Sequence, residues 1–196
     1  MFLASSNAGK LAEYRVLAEN FSSSISIELA LLPGFDGLPA YEETAPTFAE
    51  NALGKALHYS RLREGLVFAD DSGLAVPALG GAPGVRSARY AGLEASSEEC
   101  NRKLLGELSG KNGPQRAAYF VCAIALAEQG CARAIVTARV DGEILESPRG
   151  SGRFGYDPLF FFPPLGKAFA ELSREEKNEH SHRGKAFRRL LSLFTA

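Results

Sequence analysis

The chain has 196 residues, with 22 lysines and arginines against 23 aspartates and glutamates and a formal net charge of −1. That length suits one domain, with or without two lobes, and is long enough to bury a sizeable core. The balanced charge argues against a global basic field for DNA or RNA, so an anionic partner has to be met by a local cluster. Three cysteines, Cys100, Cys122 and Cys131, show no C-x-x-C spacing and indicate neither a disulfide framework nor a zinc site. The longest apolar run, Ala117 to Ala127, falls short of the roughly 20 residues of a membrane span. A cytoplasmic protein is expected.

In chain order, Met1-Phe2-Leu3-Ala4 lacks the positive n-region of a signal peptide and reads as a first strand. Ser5 to Gly9 is a polar loop, and Lys10 to Asn20 carries Leu11, Tyr14, Leu17 and Ala18 on one helical face. A second apolar run covers Ile25 to Leu32, and Pro33 to Pro46 is a Gly, Pro and acid-rich connection holding Glu42-Glu43-Thr44. Thr47-Phe48-Ala49-Glu50 fits a capping box, with Phe48, Ala52, Ala56 and Tyr59 continuing the apolar stripe and Lys55 on a neighbouring face. The apolar run Leu66 to Ala69 then leads into Asp70-Asp71-Ser72-Gly73, expected as a turn where a buried strand emerges.

A Gly and Pro-rich segment follows over Ala78 to Gly92, and Ser96 to Glu99 opens a third helix with a second capping box, ending near Gly110. Arg116 to Ala127 and Ala132 to Val140 read as long paired strands joined across Glu128-Gln129-Gly130, and Asp141-Gly142 marks a further hairpin turn. A second glycine loop, Gly150 to Pro164, precedes a helix opened by Ser173 and a terminal helix carrying Ala186, Phe187, Leu190, Leu191 and Phe194. Helices alternating with strands, then strand hairpins, predict an α/β fold with a mixed sheet. Two lobes with an active-site cleft between them is the expected architecture.

Three groups of residues carry candidate chemistry. Adjacent Asp70 and Asp71 at the mouth of a buried strand need compensation, because an unpaired buried carboxylate is strongly unfavourable. A divalent cation such as Mg²⁺, held by one or two carboxylates plus substrate phosphates, would supply it; an ordinary Asp-Asp-Ser-Gly turn is the alternative. Ser5-Ser6-Asn7-Ala8-Gly9-Lys10 stands where a strand gives way to a helix N-terminus, whose N–H groups favour an anion such as phosphate. It is not a Walker A loop, since no Gly stands upstream and Leu11 follows the lysine. Lys177 and Ser181-His182-Arg183-Gly184-Lys185 offer donors, and Phe154 and Tyr156 lie in a glycine loop that offers a stacking face. Donors plus an aromatic plane suit a purine, and arginine suits the O6 and N7 edge of a 6-oxopurine.

The blocks Ala4 to Lys10, Ala69 to Leu74, Gly81 to Tyr90, Phe154 to Pro158 and Ser181 to Gly184 together resemble the inosine triphosphate pyrophosphatase family, also called Ham1-like or RdgB-like. The resemblance covers nearly the whole chain, with the blocks in the family's order. It implies a single catalytic domain over residues 1–196, elongated, two-lobed and homodimeric. It also implies Mg²⁺-dependent hydrolysis of ITP, dITP and XTP to the monophosphate and pyrophosphate, removing these triphosphates from the nucleotide pool. By the resemblance, Ser5, Ser6, Asn7, Ala8, Gly9 and Lys10 form the triphosphate loop. Asp71 is metal ligand and proton acceptor, Glu43 a metal-site acid, Ser72 a substrate contact and Lys55 a phosphate contact; Asp70, beside Asp71, is expected to help hold the metal. Phe154, Gly155, Tyr156, Asp157, Lys177, His182 and Arg183 match base-binding and nucleotide-binding positions. Ser5 stands where the family usually has Thr, keeping the hydroxyl, and Ala168 replaces a frequent Thr.

Two rivals remain at this point. A Maf-type pyrophosphatase for modified nucleotides is opposed by the Ser-His-Arg-Gly segment, and a non-catalytic nucleotide sensor by the retention of Glu43, Asp70 and Asp71 together.

Overall fold

The computed structural model describes residues 1–21, 27–151 and 154–195. Ile25 of the second apolar run, and Gly152 and Arg153 of the second glycine loop, lie outside them. Among the described residues seven strands form one mixed sheet: β1 (Phe2–Leu3), β2 (Ala30–Leu31), β3 (Val67–Ala75), β4 (Ala117–Glu128), β5 (Cys131–Ile144), β6 (Phe160–Phe162) and β7 (Lys167–Ala168). Their order is β2-β1-β3-β4-β5-β6-β7. β1 pairs in parallel with β2 and β3, whereas β5–β6 and β6–β7 are antiparallel. Among the described residues five α-helices accompany the sheet: α1 (Ala8–Glu19), α2 (Phe48–Ser60), α3 (Ser97–Glu107), α4 (Arg174–His180) and α5 (His182–Ser192).

Helix starts follow the side chains expected to cap them. Thr47 accepts from the Glu50 amide at 3.2 Å, although its hydroxyl turns to the Glu50 carboxylate and only this half of the expected box is seen. Ser96 and Glu99 make the full reciprocal box, at 3.2 and 2.8 Å. Each such cap satisfies amide donors that a helix end otherwise leaves without partners. Gln129 and Gly130, both at positive φ, make the two-residue turn between β4 and β5, as the sequence indicates.

Two expected turns are strands instead. β5 runs straight through Asp141-Gly142. Gly142 is there for close approach: a Cβ on it would collide with the Phe161 carbonyl and the Phe160 ring on the neighbouring strand. β3 likewise continues through Asp70, Asp71, Ser72 and Gly73 to Ala75. The turn-forming composition loses because both carboxylates find partners among the helices.

By contacts the chain divides into two compact units. The first comprises Met1–Asp71, Cys122–Ala138 and Ser181–Ala196; the second comprises Ser72–Val121 and Arg139–His180. In the first, one core joins α1, α5 and the sheet through Tyr14, Phe68, Phe187 and Ile124. Tyr14 meets Phe68 edge-on at 5.3 Å between centroids and Phe187 at 4.6 Å. A further core of Ala52, Ala56, Tyr59, Val67, Ala69 and Ala123 packs α2 on the sheet. The second unit has its own core around Phe120, Phe160, Phe169, Leu74 and Leu104. Burying one such phenylalanine contributes roughly 1.5–3 kcal/mol. Arg116 is buried there too, donating to the carbonyls of Leu108, Lys111, Ile144 and Leu145.

Candidate active site

Successive side chains of a strand point to opposite faces of its sheet, so β3 sends its two acids apart. Phe68 belongs to the core of α1 and α5, and Asp70, two residues on, shares its side. Val67 and Ala69 belong to the core of α2, and Asp71 shares theirs.

On the α1 and α5 side, Lys10 Nζ donates to both Asp70 oxygens at 3.0 Å each. Arg183 Nε lies 3.7 Å from Asp70 Oδ2, within ion-pair range but beyond a hydrogen bond, and Arg183 Nη1 donates to Glu13 Oε2 at 2.7 Å. Asp70 is only 3% exposed. Burial alone raises its pKa, but the charges of Lys10, Arg183 and Lys55 and the Lys10 hydrogen bond outweigh that and hold it at about 2. Arg183, buried as well, is opposed by desolvation, yet Glu13, Tyr14 and Asp70 raise its pKa above the ordinary arginine value. The compensation that the sequence assigned to a cation beside Asp70 therefore comes from the chain itself.

On the α2 side, Asn51 and Lys55 stand one turn apart on the helix. Asn51 Nδ2 donates to Asp71 Oδ2 at 3.0 Å, and its carbonyl accepts from the Ala45 amide at 2.9 Å. Lys55 Nζ donates to Glu43 Oε1 at 2.6 Å. Burial lowers the Lys55 pKa, but the Glu43 hydrogen bond and charge, with the charges of Asp70 and Asp71, more than reverse this. One lysine thus senses all three candidate acids. Glu43 and Asp71 are half-buried, and their hard oxygen donors fit a Mg²⁺ that keeps several waters and shares substrate phosphates. Among the described residues, no group of three or more His, Cys, Asp or Glu is clustered for metal binding.

The phosphate-loop candidates shape the start of α1. Ser5 Oγ accepts from the Asn7 amide at 3.0 Å, and Asn7 Oδ1 caps the helix by accepting from the Lys10 amide at 3.0 Å. Gly9 leaves room for that cap, since a Cβ there would come within 3.1 Å of Asn7 Oδ1. Ser6 is exposed and Ala8 begins the helix. The result is a helix N-terminus with Lys10 beside it, suited to an anion.

His182 and Arg183 lie in the first turn of α5, where Ser181 Oγ accepts from the Gly184 amide at 3.1 Å. Both are buried. The remaining candidates belong to the second unit. Ser72 is half-buried in β3. The Gly155 carbonyl accepts from Asn101 Nδ2 at 3.0 Å, and Asp157, buried, pairs with Lys177. Phe154 is 63% exposed, with Lys177 Nζ 5.6 Å from its ring centroid. Tyr156 offers no stacking face: its ring is buried in the core and its hydroxyl donates to the Ser87 carbonyl at 2.9 Å.

Sequence reasoning missed Asn51 and Glu13. Each had a signal in its spacing, Asn51 four residues before Lys55 and Glu13 three after Lys10, which puts each pair on one helical face.

Comparison with known proteins gives the chain a family. A model of the Ham1 family matches residues 1–193. A dITP/XTP pyrophosphatase of Geobacillus kaustophilus is 49% identical over 188 residues, covering 96% of this chain and 90% of that protein. One from Acidobacterium capsulatum is 48% identical over 200 residues, covering 98% and 96%. The solved structure of a HAM1 protein from Coxiella burnetii superposes with a TM-score of 0.88 at 40% identity, covering 100% of this chain and 99% of that one. With a full-length match in both sequence and fold, this chain belongs to the Ham1 family.

Proposed function

We propose that this chain hydrolyses non-standard purine nucleoside triphosphates, ITP, dITP and XTP, to the nucleoside monophosphate and pyrophosphate. The observation that carries the reading is the gathering of Lys55, Glu43, Asp70 and Asp71 in the unit where Lys10 flanks the N-terminus of α1. It occurs in a chain nearly half identical, end to end, to proteins named dITP/XTP pyrophosphatase. We assign the whole of residues 1–196 to one catalytic domain, since neither compact unit is continuous in sequence. A homodimer and a cytoplasmic location follow from the family resemblance and belong to the same proposal; no described helix is long and apolar enough to cross a membrane.

In this scheme Glu43 and Asp71 would hold Mg²⁺. The ion, when bound, supplies positive charge at the phosphoryl oxygens. Lys10 and Lys55 exchange their carboxylates for phosphate oxygens and add fixed positive charge where it develops in the transition state. Asp71 takes a proton from the attacking water as its oxygen bonds to the α-phosphorus. The bond from phosphorus to the bridging oxygen breaks, and pyrophosphate leaves. Ser5, Asn7 and the amides that open α1 cradle the triphosphate, Ser72 contacts the nucleotide and Phe154 offers its ring to the base. Asp157 pairs with Lys177 and fixes its position. His182 and Arg183 donate to a purine 6-carbonyl; adenine presents an N–H₂ group there and would leave buried donors unpaired, a mismatch that costs several kcal/mol.

Product analysis with ITP and ATP in Mg²⁺ tests the proposal. Inosine monophosphate and pyrophosphate are expected, with ATP turned over far more slowly. Orthophosphate as product, or equal turnover of ATP, overturns it.

A further inference from the structure

Asp70 sits next in sequence to the acid best placed for metal, yet its surroundings are of another kind. Both its oxygens accept from Lys10, and Arg183 Nε stands 3.7 Å away. Alternation along β3 turns it away from Asp71 and toward α1 and α5. A metal ion at Asp70 would have to displace Lys10 and share a buried site with two cations already present, which like-charge repulsion in a low-dielectric interior opposes.

We infer that Asp70 is a positioning residue and not a metal ligand: it is the shared counter-ion that ties Lys10, at the phosphate end of the substrate, to Arg183, at the base end.

Two buried donors near Asp70 fit this role. Arg183 Nε and the Tyr14 hydroxyl each lack a hydrogen-bond partner among the described residues, and Tyr14 packs directly against Phe68, two residues before Asp70 on β3. When phosphate draws Lys10 away, Asp70 keeps its compensation by closing on Arg183 Nε, so the two ends of the nucleotide are sensed through one carboxylate. A buried donor left without an acceptor is costly, and that cost favours the exchange.

The inference rests on the proposed nucleotide chemistry, and its test separates the two. Mn²⁺ binding is followed by electron paramagnetic resonance, without nucleotide, in the full chain and in Asp70→Asn. Affinity within about threefold of the parent is expected, because even an outer-sphere partner of the metal typically costs about ten- to a hundredfold when lost. In turnover, Asp70→Asn should raise KM for ITP roughly tenfold, the worth of a charged hydrogen bond, and lower the preference for ITP over ATP. A loss of Mn²⁺ affinity of about tenfold or more means that Asp70 serves the metal, directly or through its outer sphere, and overturns the inference. Lower kcat in proportion to folded protein, with KM and preference unchanged, makes it merely structural and overturns it too. Should Asp70→Asn not fold, the double variant Glu43→Gln, Asp71→Asn decides. With Asp70 intact it should bind no Mn²⁺, and binding within about tenfold of the parent overturns the inference. If the parent chain itself fails to prefer ITP, the proposed function falls, while the Mn²⁺ titrations still settle Asp70.

Discussion

The two faces of β3 treat neighbouring carboxylates in opposite ways. Asp70 enters a sealed environment, 3% exposed, with Lys10 across both oxygens and Arg183 behind it. Asp71 enters a half-exposed one, where it accepts from Asn51 and lies in the field of Lys55. A carboxylate sealed between fixed cations is committed to the fold, whereas a half-exposed one can be reached by an incoming cation or proton. A one-residue step along a strand thus separates structure from chemistry.

The sharpest break of this comparison is Asp71→Asn. On the α2 side the change keeps size and a polar contact but removes the charge and the proton acceptor. Turnover should fall by about a thousandfold, within the range of lost general-base catalysis, while the urea midpoint moves little. A variant with near-normal turnover would remove Asp71 from its role and leave the two faces chemically alike.

Acid titration tests the sealed face. The Asp70 pKa is about 2 in the folded chain against an ordinary 3.8, so the folded state favours the ionised form. The resulting stability is present in full above pH about 4 and is lost as pH falls through about 2; the shift corresponds to about 2 kcal/mol. Urea unfolding in EDTA should show Asp70→Asn less stable than the parent at pH 6, with the gap closing as pH drops toward 2. A gap that stays constant with pH would show that Asp70 is not held ionised by its neighbours.

The sequence made two helix starts legible because capping is local: Thr47 and Glu50, or Ser96 and Glu99, are read within four residues. The existence of β3 was legible from its apolar run, but its length was not. Asp-Asp-Ser-Gly is turn composition, and what keeps it extended is Lys10, sixty positions away, and Asn51, twenty away. Gly142 misled for the same reason, its glycine answering a neighbouring strand and not a turn. In the candidate site, lysines and acids were legible by type and order, whereas the pairing of Lys10 with Asp70 and Lys55 with Glu43 depends on which face each helix presents. The assignment of Tyr156 to stacking failed because an aromatic in a glycine loop serves equally well as a core anchor, and only its burial decides.

The smallest expected effect concerns Asn51, which steadies the α2 side at two points. Its amide nitrogen holds Asp71, and its carbonyl holds the Ala45 amide, two residues beyond Glu43. Asn51→Ala should therefore loosen both acids at once without removing either. Outer-sphere partners of this kind typically change metal affinity by ten- to a hundredfold, and a residue acting through one hydrogen bond belongs near the lower figure, about tenfold. The half-saturating Mg²⁺ concentration for ITP turnover should rise accordingly, with kcat at saturating Mg²⁺ largely retained. On the opposite face, Glu13→Gln keeps the geometry of the Arg183 contact and weakens its charge, so it should leave the Mg²⁺ dependence where it was. A Mg²⁺ shift in Glu13→Gln as large as in Asn51→Ala would mean that the metal is sensed from both sides of β3, and the division between the two carboxylates would fail.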